Sequence, residues 1–469
     1  MIAIAVSPYL DGNFSPVKAE MTVNNLPVIG KLPPDLCGMF VRNGPNPQFT
    51  PLGRYNWIDG DGMLHEIQIS NGKAAYRNRY VQTRGFKMEQ KAGRAIWTGL
   101  LEPPQLNNPP NNLFGPFKNT ANTSVVWHAG RLLALWEGGE PYEIDLPDLN
   151  TIGPYTYNGQ LTSAFTAHPK IDPITGEMMF FGYSLLQPPY LRYSVVSAAG
   201  KILQTVPIDL PIGVMMHDFA ITENYTIFLD LPLTFRVERL QRREPAYMFE
   251  PNSSSRVGIL PRYGDNSNIR WFDIPTCYVV HTLNAYEIGE EVVLLGCRAN
   301  DAKALNVPTQ TKLNNSQEDK PSLYRWRFNL RKGVVKSETI DDWSSEFPTL
   351  NQQWVGRQNR YGYTAKMASD QTPMFTFDGL LKYDFTKGYS QLHEFGSNRY
   401  GGEAVFVPRP DSVEEDDGWL LTLIYDSAKK SSELIVVNAQ DVTEEPVARI
   451  LLPQRIPYGF HGIWIPQGF

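Results

Sequence analysis

The chain reads as an all-β protein, and a propeller explains the pattern best. Short runs rich in Val, Ile, Leu, Phe and Tyr recur from end to end, each bounded by Gly, Asn, Asp or Pro clusters. The 37 glycines and 37 prolines are spread evenly rather than pooled in a linker. Long stretches of helical periodicity are scarce. At roughly 150 residues per domain, length alone suggests about three domains. Repeated blades share one axis, however, so residues 1–469 are expected to form a single domain. No clean WD or kelch period is present.

Taken in order, the expected strands are HEIQIS (65–70), RLLALWE (131–137), EMMFFGYS (177–184), TIFLDL (226–231) and CYVVHTL (277–283). They continue with EVVLLGC (291–297), SLYRWRF (322–328), GWLLTLIYD (418–426) and ELIVVN (433–438). Each combines β-branched and aromatic residues with flanking turn formers. The best helix candidate is TFRVERLQRRE (234–244). The least regular stretches are Ile96–Lys118, Leu233–Ser255 and Ala302–Lys320, which are expected to be long loops or caps on one face. VEEDDG (413–418) reads as a solvated acidic turn.

Composition narrows the function. Hydrophobic residues make up 42%, ample for a large core, and 43 basic against 49 acidic residues leave a net charge of −6. That argues against a nucleic-acid partner. Cys37, Cys277 and Cys297 form no CxxC pair, so neither a disulfide framework nor a cysteine zinc site is expected, and a reducing cytoplasm fits. MIAIAVSPYLDGNF lacks the basic and apolar regions of a secretory signal. No apolar run approaches the ~18 residues of a membrane span.

Chemistry concentrates in the histidines. There are seven, and four stand beside apolar or aromatic residues at strand edges: His168 in SAFTAHPKIDP, His217 in VMMHDFAIT, His281 in CYVVHTLNAYE and His461 in IPYGFHGIWIP. The others look different: His128 sits in the turn WHAG, His393 in the polar QLHEFG, and His65 follows the turn DGDGM. Taken singly, a buried histidine is a satisfied core residue; the four together could instead share a site, because inner strands of a propeller bring distant residues to one axis. Four neutral imidazoles suit Fe, Cu, Ni or Zn. Glu137, Glu346 and Glu403 have unusually apolar neighbours. Each alone reads as a strand-end carboxylate; as a set they could orient ligand imidazoles.

The sequence also resembles a known family, the carotenoid cleavage oxygenases. The likeness runs in order through LPPDLCGMFVRNGPNPQF, GRYNWIDGDGMLHEI, NTSVVWHAGRLLALWEGGEPYEID, FTAHPKIDPITGEMMFFGY, MMHDFAITENYTIFLDLPL, GILPRYG, NRYGYT, GEAVFVPRP and RIPYGFHGIWIP. PYLDGNFSPV and RWFDIPTCYVVHTLNAYE look most like the plant-type enzymes that cut at the 9,10 and 9′,10′ bonds. The resemblance implies a seven-bladed β-propeller with a helical and loop cap over a central Fe(II). It implies ligands at His168, His217, His281 and His461, with Glu137, Glu346 and Glu403 behind them. His65, His128 and His393 have no ligand role in that pattern, and Asp218 is expected to fix the turn after His217.

The implied activity is oxidative cleavage of a C=C bond of a carotenoid or apocarotenoid by O2 to carbonyl products. Cleavage at the 15,15′ bond, a non-oxidative retinoid isomerase and a metal-free binding propeller are the alternatives. By family position Thr123 borders the metal, and Trp136 and Met215 line the substrate tunnel. Family members that cleave phenolic stilbenes carry lysine where Trp136 stands, so an apolar polyene is the expected substrate. Ile96–Lys118 reads either as a loop folded onto the core or as an apolar lip that touches a membrane surface.

Overall fold

The computed structural model describes residues 7–100, 102–105, 107–236, 238–239, 242, 244, 246–302, 320–369 and 375–468. The loop expected over Ala302–Lys320 therefore lies almost wholly outside the described residues.

Antiparallel strands dominate. Three four-stranded meanders follow one another in the chain. They run from Ser124–His128 to Asn150–Pro154, from Lys170–Ile171 to Ile202–Ile208, and from Ala220–Ile221 to Arg270–Ile274. A seven-stranded sheet then extends from Tyr278–Ile288 to Tyr389–Glu394. Its middle member, Val334–Thr349, is 16 residues long and pairs first with Ser322–Asn329 and then with Tyr361–Met367. The last two sheets draw on both ends of the chain. Val28–Gly30 pairs with Ala448–Leu451, and Gly38–Pro45 pairs with Gly462–Pro466, Phe40 facing Trp464. All nine expected strands are present within a few residues of their expected bounds.

Apolar side chains from facing sheets fill the space between them. Ile227, Val257 and Phe272 meet Val279, Leu294 and Trp326 in the largest cluster. Each such side chain contributes roughly 1.5–3 kcal/mol by leaving water. The edge strands pack beside one another: Ala220–Ile221 lies against Tyr278–Ile288, and Gly462–Pro466 lies against both Ser124–His128 and Val405–Pro408.

Two local expectations hold only in part. Residues 234–244 do not begin as a helix: Leu233–Phe235 pairs with Tyr247–Phe249 as a two-stranded ribbon. The alternating Leu233 and Phe235 are both buried there, and tertiary burial outweighs the helical charge pattern that follows. Glu238 and Arg239 are helical, so the expected helix survives only past the ribbon strand. A longer α-helix is Arg84–Ala92, capped by the Thr83 hydroxyl on the Phe86 N–H and ended by Gly93 at φ +67°. The acidic turn at 413–418 is only half solvated. Val413 is exposed, but Glu415 accepts the backbone N–H groups of Arg360 and Tyr361, and buried Asp416 pairs with Lys382 at 2.6 Å.

Candidate metal centre

The four singled-out histidines converge. His168 and His217 lie just ahead of the edge strands Lys170–Ile171 and Ala220–Ile221, His281 lies inside Tyr278–Ile288, and His461 immediately precedes Gly462–Pro466. One ring nitrogen from each falls within 4.8 Å of all the others. The Nε2 atoms of His168 and His217 are 3.0 Å apart.

Carboxylates hold the outer nitrogens. His217 Nδ1 is 2.5 Å from Glu137, His281 Nδ1 is 2.6 Å from Glu346, and His461 Nδ1 is 2.8 Å from Glu403. A carboxylate accepts only, so each Nδ1 carries the proton and each Nε2 keeps its lone pair facing the centre. Among the described residues His168 has no carboxylate partner; its backbone N–H donates to the Thr166 hydroxyl.

Burial, followed by the neighbouring imidazoles, pushes His168 well below the ordinary histidine value. His281 is also lowered, by burial first and despite Glu346. For His217 burial lowers and Glu137 raises, and the net direction is upward. The donor set suits a cation. His281 Nε2 is buried with no hydrogen-bond partner, a costly state for a polar atom unless something electron-poor accepts its lone pair.

Local geometry is exacting. Phe347, next to Glu346, holds φ +52°, a region bulky residues rarely occupy. This conformation brings its N–H to the Glu346 carboxylate at 2.5 Å and stacks its ring on His281 at 5.4 Å. Asp218 does more than fix a turn. One oxygen accepts the Phe219 N–H at 2.8 Å and pairs with Lys170 at 2.7 Å; the other accepts the Thr282 N–H and hydroxyl. It therefore ties the His217 loop to the strand that carries His281.

The histidines separate two cavities. One, of about 270 Å³, is walled by aromatics including Phe235, Phe347, Phe375, Phe377 and Phe460. Thr123, Trp136 and Met215 all line it, as do His217, His281 and His461. The indole of Trp136 lies where a side chain on Gly138 would stand, at 2.4 Å from its Cβ position, so glycine is needed there. No lysine or arginine lines this cavity among the described residues. The second cavity, of about 500 Å³, opens on the other side, past Lys170, Asn351, Gln352 and Gln353.

Reasoning from sequence missed Tyr183, Tyr247, Phe347 and Phe460 as cavity residues. Phe347 and Phe460 directly follow or precede singled-out residues, a signal that was available; Tyr183 gave none. The remaining histidines are satisfied elsewhere: His65 by the Tyr76 hydroxyl at 2.8 Å, His128 by the Gly176 carbonyl at 3.0 Å and His393 by the Val442 carbonyl at 2.8 Å.

Comparison with known proteins places this geometry. The sequence profile of the RPE65 family, retinal pigment epithelial membrane protein, matches residues 14–466. The carotenoid 9,10(9′,10′)-cleavage dioxygenase 1 of Arabidopsis thaliana is 40% identical over 492 residues, covering 98% of this chain and 90% of that protein. The lignostilbene dioxygenase of Pseudomonas brassicacearum superposes with a TM-score of 0.91 at 32% identity, over 99% of this chain and 100% of that one. An apocarotenoid oxygenase of Synechocystis gives 0.85 at 29% identity, over 97% and 98%. The chain belongs to the RPE65 family of carotenoid cleavage oxygenases.

Proposed function

We propose that this member of the family is a non-haem Fe(II) dioxygenase that splits a C=C bond of a carotenoid or apocarotenoid into two carbonyl ends, at the 9,10 and 9′,10′ positions named for its Arabidopsis relative. The observation that carries the reading is a set of four imidazoles, three of them backed by carboxylates, at the inner end of an aromatic-walled cavity. Neutral nitrogen donors that leave coordination positions open suit iron and oxygen chemistry. When bound, iron supplies the one-electron chemistry that lets O2 attack an alkene.

The protein's part is position and dryness. His168, His217, His281 and His461 hold the metal; Glu137, Glu346 and Glu403 orient three of them. Thr123, Trp136 and Met215 line the same cavity as His217, His281 and His461, so a rigid polyene held there would lie against them beside the metal. Regiochemistry then depends on which bond that wall sets beside the centre. A flat indole and the absence of lysine among the described lining residues favour a polyene over a phenolate.

We read residues 1–469 as one seven-bladed propeller. Thr123, His168, His217, His281, Glu346, Glu403 and His461 each stand on or just ahead of a separate strand segment, and seven such segments around one axis would bring them together. The pairing of Gly38–Pro45 with Gly462–Pro466 would join the ends of the ring. The cap would be mostly loop, with residues 112–117 among the segments over the aromatic cavity.

No helix among the described residues is long and apolar enough to cross a membrane; the membrane contact we propose is a surface one, at exposed apolar residues near the aromatic cavity. The lip over Ile96–Lys118 is smaller than its sequence suggests: Trp97 and Phe117 are buried, Lys118 is ion-paired with Glu89 at 2.5 Å, and Leu113 remains exposed; Leu186, from another segment, is exposed as well and lines the aromatic cavity.

Oxygen uptake and product masses test the reading. Iron-loaded protein is expected to consume O2 with a carotenoid or apocarotenal and to yield a ketone-ended and an aldehyde-ended fragment. Turnover of a hydroxylated stilbene alone would overturn the substrate assignment. Conversion of a retinoid ester without oxygen uptake would indicate an isomerase.

A further inference from the structure

The three histidine-bound carboxylates are not held alike. Glu403 has both oxygens engaged by its own neighbourhood, one on His461 and one on the Gly462 N–H at 2.8 Å. Glu346 places His281 and the Phe347 N–H on the same oxygen, and its other oxygen is buried without a partner. In both, the second donor is a backbone N–H next in sequence to the ligand or to the carboxylate. Glu137 differs. It sits in the turn after Arg131–Leu135, beside two glycines that give it no lateral support. Its second oxygen is taken at 2.6 Å by the hydroxyl of Tyr183, which comes from the end of another sheet.

We infer that Tyr183 is a positioning residue for the metal centre, its hydroxyl locking the Glu137 carboxylate in the rotamer that keeps the other oxygen on His217 Nδ1. The inference rests on the four-histidine metal reading and goes beyond it to a residue outside the proposed ligands and their carboxylates. A carboxylate with one oxygen free turns about its terminal torsion, which is broad and soft. With a donor on each oxygen it is fixed. A short bond to a charged acceptor is among the stronger hydrogen bonds. Burial, and then the Glu137 charge, push the phenol well above its ordinary value, so it stays a donor. The ring of Tyr183 also walls the aromatic cavity, so one side chain touches both the substrate space and the support of a ligand.

The test uses the full-length protein and Co(II), whose visible bands report ligand geometry, together with Fe(II) in competition with a chelator. Tyr183→Phe is expected to weaken metal binding about tenfold, in line with loss of a hydrogen bond to a charged group, and to shift the Co(II) bands. Tyr193→Phe removes another buried hydroxyl from the same sheet, one that accepts from Thr226 at 2.8 Å, and is expected to change neither. In a Glu137→Ala background the Tyr183 substitution should add nothing, because its effect passes through that carboxylate. The inference is overturned if Tyr183→Phe leaves affinity and spectrum unchanged, if Tyr193→Phe changes them equally, or if the Tyr183 effect persists in full without Glu137. Failure of the unsubstituted protein to bind either metal would instead remove the four-histidine reading and the inference with it.

Discussion

Seven histidines divide into two sets that differ little in burial and much in company. His65, His128 and His393 are buried and bonded to a phenol or to backbone carbonyls, singly and far from one another. His168, His217, His281 and His461 face one another, and three of them lean on carboxylates. The difference teaches that burial does not mark a functional histidine. What marks it is a ring nitrogen left facing other ring nitrogens while its opposite nitrogen is tied down.

The strongest break in that comparison is removal of a member of the second set. His217→Ala or His461→Ala is expected to lose nearly all bound iron and all oxygenase activity, checked by metal analysis of the purified variants. A smaller effect should follow from the carboxylates. Glu346→Gln and Glu403→Gln are each expected to weaken iron binding or activity by about 10–100-fold, read by chelator competition. Smaller again for the metal, His393→Ala should leave iron content unchanged and cost about 1–3 kcal/mol of stability in denaturant unfolding, because the Val442 carbonyl loses its donor. Loss of iron in that variant would erase the distinction between the two sets.

The smallest effect sharpens it. Burial first, and then Arg42 and Arg455, holds His65 neutral, well below the ordinary value of 6.5. The unfolded chain takes up a proton near that pH and the folded chain does not, so this group's contribution to stability is full above about 6.5 and is lost as pH falls below it. Metal-free protein is therefore expected to melt lower at pH 5.5 than at pH 7.5, and His65→Gln should show a shallower dependence.

Much of this was legible in the sequence. Runs such as EVVLLGC and GWLLTLIYD are too apolar and too β-branched to be anything but buried strands, and both are. The four histidines and three glutamates were legible as anomalies, polar residues in apolar company. What the chain could not disclose is what depends on contact across sheets. Tyr183 sits in FFGYS like any strand-end aromatic, and only the fold brings its hydroxyl to Glu137, 46 positions away. The left-handed backbone of Phe347 is likewise invisible, because nothing about phenylalanine announces it. Leu233–Phe235 misled because its burial is decided by a partner strand beyond the charged segment.

The most direct measurement is anomalous scattering at the iron edge from crystals of the iron-loaded protein. The account predicts one strong peak, equidistant from the Nε2 atoms of His168, His217, His281 and His461, and none beside His65, His128 or His393. A fully loaded, active protein with no peak among those four, or with its peak at one of the other three, would contradict it.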